Sequence, residues 1–435
     1  MSKLLAGAGK APIQFPDNIA PMEGFCKVHD DPIVRILCLN KGARFVIAAF
    51  ELVMLPEDLM VDCKAIISEK LGVAEENIWL HVTHAITTPH SPGGPLIGPG
   101  GVVRPIPPEM LARLTVSIED IVKAREIYCT IIKDAVRSAC KEAANLREAR
   151  IGLGKGLCDV NENRDIETPD GWWIGRHGAG YSNKEMTVIQ FVDRMDKKIA
   201  GIISYGVKPC VIDNSQMRER KRQISADLTG AACQKIEAQW DAPVLFLMSA
   251  AGDQIPSKTV LFDEWEDGRL VTRDLGVEQG LIWVQELGAQ MAEDALAIGR
   301  TIVCEEVSGD ISCAGGSFAW QGKGRSKMEP TRQAEYVPER EMQVPVSVLK
   351  IGDGLAFVAT QPEMNAMTGR ELQEKSPVCT TLLVTMVNGG MKYLPDRDSY
   401  DRVTWEALSS MLMPGGAEEL VNTAVAKLRE MEETP

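Results

Sequence analysis

Apolar residues along this chain gather into short runs that alternate with longer amphipathic stretches. The runs at 34–39 and 45–52 predict strands, the second offering Val46, Ile47 and Phe50 to a buried layer. Pro56-Glu57-Asp58 opens a helix to about position 71, because proline suits a first turn and acids suit its positive end; Gly72 ends it. A short strand at 78–82 leaves His84 just past its carboxyl end. The Gly- and Pro-rich stretch 87–108 predicts irregular chain of a length that often serves function.

A long helix at 117–144 follows, then a strand at 150–157 and a second long loop at 161–184. Positions 187–192 and 199–207 form a hairpin around Asp196-Lys197-Lys198. A helix at 225–239 leads into a strand at 244–248, which stops at Ala250-Ala251-Gly252-Asp253. Another helix covers 277–298, and the polar stretch 315–337 predicts an exposed insertion. Strands at 344–351 and 355–360 flank Asp353-Gly354, and a helix at 363–374 makes Glu363 a first-turn acid. The chain closes with a strand at 380–387 and a helix at 417–430. Strand, loop and helix in this recurring order predict an α/β fold of mixed sheets flanked by helices, in one domain spanning 1–435. Ligands of such folds sit at the carboxyl ends of strands, where His84, Lys208, Asp253 and Tyr393 all fall.

The net charge of −14 argues against a nucleic-acid partner, since a polyanion needs a broad basic face. No run approaches the ~20 apolar residues of a membrane span, and no signal peptide is legible at the N-terminus. The eleven cysteines are scattered, without a Cys-x-x-Cys pair, as expected in a reducing compartment. The expectation is a cytoplasmic protein with a small-molecule substrate and no membrane partner; a homo-oligomer stays open.

Of the five histidines, His81 sits inside an apolar strand and reads as packed core. His84 and His90 are six residues apart, a spacing with no helical logic, so they suit either loop hydrogen bonds or a metal. His177 lies beside Trp172 and Trp173 and is placed to line a pocket. Arg164 suits recognition of a carboxylate or amide oxygen, or a buried salt bridge.

Four dispersed segments resemble the catalytic domain of the neutral/alkaline ceramidases and their bacterial relatives. They are Thr83-His84-Ala85-Ile86-Thr87-Thr88-Pro89, Asn163-Arg164-Asp165-Ile166-Glu167-Thr168-Pro169, Ala251-Gly252-Asp253-Gln254-Ile255-Pro256 and Pro362-Glu363-Met364-Asn365-Ala366-Met367-Thr368-Gly369-Arg370. The resemblance implies that fold, without the family's C-terminal domain, and a zinc or other divalent ion bound by His84, Glu363 and Tyr393. It also implies departures. Lys208 stands where a second zinc-binding histidine is expected, Ile86 and Ile255 replace a histidine and the catalytic serine, and Trp405 replaces a tyrosine.

A protonated amine cannot coordinate zinc. Three readings follow: Lys208 is neutral and reactive, it replaces the metal's charge, or Cys210 or His90 supplies the missing ligand. The leading expectation is metal-dependent hydrolysis of a carbon–nitrogen bond in a small, anionic amide, with Asp253 moving protons and Arg164 and Lys208 gripping the anion, beside His90, His177, Trp172 and Trp405. The alternatives are lysine-dependent lyase, isomerase or racemase chemistry, and binding without turnover.

Overall fold

The computed structural model describes residues 3–16, 22–92 and 117–433. From position 93 on, the irregular stretch expected at 87–108 lies outside the described residues.

Three main sheets form the frame. The first runs in the order Ile78–Val82, Ala43–Phe50, Ile33–Lys41, Leu5–Pro12, Arg147–Glu148. The second runs Val244–Met248, Lys198–Tyr205, Glu185–Val192, Arg150–Leu157. The third runs Ile311–Lys323, Pro338–Ile351, Leu355–Thr360, Thr380–Val384. Each is antiparallel except at one edge, where Ile78–Val82, Val244–Met248 or Thr380–Val384 pairs in parallel with its neighbour. Parallel pairs need crossover connections, usually helices. Helices Glu57–Leu71, Asp227–Trp240 and Ala366–Lys375 lie in those three crossovers.

Side-chain alternation explains how the sheets stack. Ile36 and Cys38 face one core with the helices, whereas Leu37 and Leu39 face a second core. That second core is shared by all three sheets, through Phe45 and Trp79, Ile189 and Phe191, and Leu349 and Phe357. The near-continuous apolar strands follow from burial on both faces. A third core lies between the outer face of the third sheet and helices Ala366–Lys375 and Gly416–Glu433.

Local chemistry sets the helix ends. Gly72 closes Glu57–Leu71 at φ 59°, a left-handed turn that glycine adopts without strain. Ser117 caps Ile118–Ala143 by accepting from the Asp120 backbone N–H at 3.1 Å.

Three expectations need correction. The loop expected at 161–184 holds a hairpin, Asn161–Thr168 with Gly171–His177. The insertion expected at 315–337 is in its first part the edge strand Ile311–Lys323 of the third sheet. Glu363 does not open a helix. It forms the short strand Glu363–Met364, paired in parallel with Tyr393–Leu394, and the helix begins at Ala366.

Candidate active site

The three parallel edges end on one region of the molecule. His84 follows Ile78–Val82, Lys208 follows Lys198–Tyr205, Asp253 follows Val244–Met248, and Glu363 follows Leu355–Thr360. Tyr393 comes after Thr380–Val384 through a loop in which Met386, Asn388 and Lys392 all have positive φ. His84 itself stands at φ 61°, a conformation that non-glycine residues adopt sparingly and that marks functional turns.

The Glu363 carboxylate lies at the centre. His84 Nδ1 is 2.6 Å from its Oε1 and Lys208 Nζ is 2.9 Å from its Oε2. Lys208 also donates to the Tyr393 hydroxyl at 2.8 Å. Burial alone would raise the Glu363 carboxyl, but His84 and Lys208 against it hold it at about 2. Burial and the Arg164 charge push the Lys208 ammonium down, yet Glu363 and Tyr393 outweigh them and keep it above its ordinary value. Lys208 is therefore charged. The Glu363 carboxylate and Tyr393 hydroxyl against it favour the ammonium over the neutral amine of the first reading.

A second ion pair abuts the first. The Arg164 guanidinium lies between the rings of Tyr393 and Trp405, at 5.3 and 5.0 Å from their centroids. Its Nε donates to Glu406 Oε1 at 2.7 Å, and its Nη2 donates to the same oxygen. Arg164 and Glu406 are both buried. The expectation that Arg164 and Lys208 grip an anionic substrate is thus corrected, since both cations are enclosed and already paired.

The donor set does not fit a zinc ion. Two ligands about 2 Å from a tetrahedral zinc stand about 3.3 Å apart. His84 and Glu363 approach closer than that, and Glu363 and Tyr393 share an ammonium instead of a metal. The proposed substitutes do not help. Burial pushes the Cys210 thiol well up, away from the thiolate that binds metal. His90 is held by Glu23, whose Oε2 lies 3.1 Å from both its backbone nitrogen and Nδ1. Among the described residues, no three His, Cys, Asp or Glu side chains are grouped to hold a metal ion.

Beside this centre opens a cavity of about 360 Å³. Asn163, Asp165, His177, Tyr181, Asp253 and Asn365 line one part of it, and Asp396, Asp398, Ser399 and Arg402 another. Gly252 makes the approach possible, because a Cβ there would stand 2.7 Å from Asn365 Oδ1. Asp253 Oδ1 accepts from the Ala366 backbone N–H at 2.9 Å, and Oδ2 accepts from Asn163 Nδ2 at 3.0 Å. Burial nevertheless raises its carboxyl to about 6.

Asp165 is pushed well above the ordinary carboxylate range by burial and by the negative charges of Glu406 and Asp253. Asp165 Oδ1 and Glu406 Oε2 are both buried without a hydrogen-bond partner. The two aspartates of one cavity thus differ in setting: burial raises both carboxyls, and Asp165 has in addition the negative charges of Glu406 and Asp253 against it.

The remaining residues divide. His177 lines the cavity and Trp172 does not, though Arg402, which lines it, stands over the Trp172 ring at 4.9 Å. Trp405 packs edge-on to Tyr393 within the ion-pair centre. Ile255 lies in Gln254–Pro256 opposite Glu162, an apolar side chain where the resemblance expects a serine. Asp165 and Asn365 were missed as site residues although both lie inside the matching segments. Their sequence context shows no sign of burial in a shared cavity.

In fold, the chain is that of the neutral ceramidases. A ceramidase solved in complex with C2 superposes with a TM-score of 0.73 at 16% identity, covering 99% of this chain and 76% of that one. The neutral ceramidase of Pseudomonas aeruginosa gives 0.71 at 16% identity, covering 98% and 75%. No family model and no curated protein matches the chain. No described helix is long and apolar enough to cross a membrane.

Proposed function

We propose that this protein hydrolyses a carbon–nitrogen bond in a small amide by general acid–base catalysis in the cavity over Asp253. The observation that carries the reading is the pair of buried aspartates on that cavity, Asp253 held by the Ala366 N–H and Asn163, and Asp165 with an oxygen that has no hydrogen-bond partner. Environments that push two carboxyls apart are how a site assigns its acid and its base. The likeness of the fold to ceramidases, whose substrate is an amide, supports the reaction class.

In this scheme Asp253 takes a proton from water as the water oxygen bonds to the carbonyl carbon. The carbon–nitrogen bond then breaks, and the departing nitrogen takes the proton carried by Asp165. A carboxylic acid and an amine leave, and the proton now on Asp253 passes through solvent to Asp165, which restores both carboxyl groups for the next turnover. No step runs through a metal.

The cavity wall also redirects the substrate class. Carboxyl and amide groups predominate, and Arg402 is already paired with Asp398. Such a wall suits a substrate rich in hydrogen-bond donors or bearing an ammonium group, rather than an anion. Lysine-based chemistry is disfavoured by the enclosure of Lys208.

A panel of short N-acyl amines and N-acyl diamines, followed by release of primary amine, tests the reading. Release is expected from members with a free ammonium or several donors, and loss in Asp253→Asn by about 10²–10⁴-fold. Equal rates in wild type and Asp253→Asn would remove the assignment.

A further inference from the structure

We propose that Lys208 is a built-in cation: its ammonium occupies the place of a divalent metal among His84, Glu363 and Tyr393, holds that cluster together and excludes a metal from it. The inference does not depend on the reaction proposed above. It rests on how the cluster is assembled.

Glu363 and Tyr393 are brought side by side by parallel strand pairing, so a carboxylate and a phenol point into one buried space. A carboxylate in such a space needs a cation. Lys208 supplies it, at 2.9 Å from Glu363 Oε2, at 2.8 Å from the Tyr393 hydroxyl, and over the Tyr393 ring at 4.7 Å from its centroid. Two partners, Glu363 and Tyr393, converge on one nitrogen, and Lys208 is 1% exposed.

A metal ion added here would meet two positive groups. Lys208 would lie against it, and Arg164 stands at the same Tyr393 ring, 5.3 Å from its centroid. Like charges at contact in a water-poor setting repel strongly. Replacing the ammonium with an imidazole reverses the situation. Lys208→His would offer two ring nitrogens, one able to donate a lone pair, beside His84, Glu363 and Tyr393. That is a four-donor set of the type that binds zinc. Lys208→Met keeps much of the volume, removes the charge and leaves Glu363 without its ammonium.

The test uses wild type, Lys208→His and Lys208→Met, purified without a metal-binding tag and stripped with a chelator. Each is equilibrated with zinc and desalted. Bound zinc is measured by elemental analysis, and Tm with and without zinc. Wild type is expected to retain less than about 0.1 zinc per chain, with Tm unmoved by zinc or chelator, and Lys208→His about one zinc per chain with a raised Tm. Lys208→Met is expected to melt several degrees below wild type.

About one zinc per wild-type chain, removable by chelator with a fall in Tm, would overturn the proposal. So would a Lys208→Met protein as stable as wild type, or a folded Lys208→His protein that takes no zinc. Should Lys208→His not fold, the zinc content of wild type and the Tm of Lys208→Met decide the matter alone.

Discussion

Asp253 sits in a conflict that its replacement would relieve. Its carboxyl is raised to about 6, so between the unfolded value of 3.8 and that figure the folded state binds more protons than the unfolded state. Stability therefore falls as pH rises through that window, and at pH 7 the ionised side chain carries the full cost. Asp253→Asn is expected to have a higher Tm than wild type at pH 7, with the advantage fading by pH 4, while amide hydrolysis is lost. Thermal melts across that range check the sign. Arg164 is opposite in character, its guanidinium enclosed by two rings and paired with Glu406. Arg164→Met leaves Glu406 buried without its cation and is expected to cost about 3–5 kcal/mol in denaturant unfolding, far more than loss of a surface pair. The segment Asn163-Arg164-Asp165 shows both what sequence reveals and what it leaves out. The guanidinium was legible as a recognition group or a salt bridge, and only the folded chain decides for the salt bridge. Asp165 draws its properties from Glu406 and Asp253, residues far away in sequence.

At the scale of elements, strands buried on both faces were readable because packing leaves a continuous apolar run. Ile78–Val82, Val244–Met248 and Leu355–Thr360 are buried throughout and fall where the pattern puts them. Polar strands and strands near the cavity were not. Ile311–Lys323 has one neighbour and carries Gly315, Gly316 and polar residues, so it reads as exposed loop. Glu363–Met364 is held by Tyr393–Leu394, a partner no local pattern reveals. The hairpin of Leu261–Glu266 and Arg269–Asp274 was legible and overlooked: Asp267-Gly268 is an Asp-Gly turn with both residues at positive φ. The turn after Val244–Met248 is tightly built as well. Gly252→Ala would drive a Cβ against Asn365 Oδ1 at 2.7 Å and Met364 O at 3.1 Å. A loss of about 1–3 kcal/mol is expected, together with a displaced Asp253 and a lower rate of hydrolysis. Full activity in a destabilised Gly252→Ala protein would show that the close approach supports the fold alone.

Across the whole molecule, three sheets each contribute a parallel edge whose carboxyl end reaches the same region, and this joins site to scaffold. His81 is part of that join. The Met248 N–H donates to its Nε2 at 3.1 Å and its Nδ1 lies 2.9 Å from the Thr385 carbonyl, which fixes one neutral tautomer between the three sheets. Burial lowers it to about 4 from 6.5, so the unfolded state binds the extra proton first, and stability falls as pH drops through that window. Glu363, held at about 2, adds a second loss as pH falls below its ordinary 4.5. Each is worth about 3 kcal/mol. The His81 loss and the Asp253 gain oppose each other between pH 6 and 4, so acid unfolding should steepen below about pH 4, where the Glu363 loss is no longer opposed by Asp253. Lys208→Met should blunt the Glu363 component, which urea titrations at stepped pH would resolve. The measurement that most directly tests the account is the pH–rate profile of amide hydrolysis by chelator-stripped protein. Full activity without metal, rising to a plateau through about pH 6 and absent in Asp253→Asn, is the predicted result. Activity that vanishes on stripping and returns with zinc would contradict it.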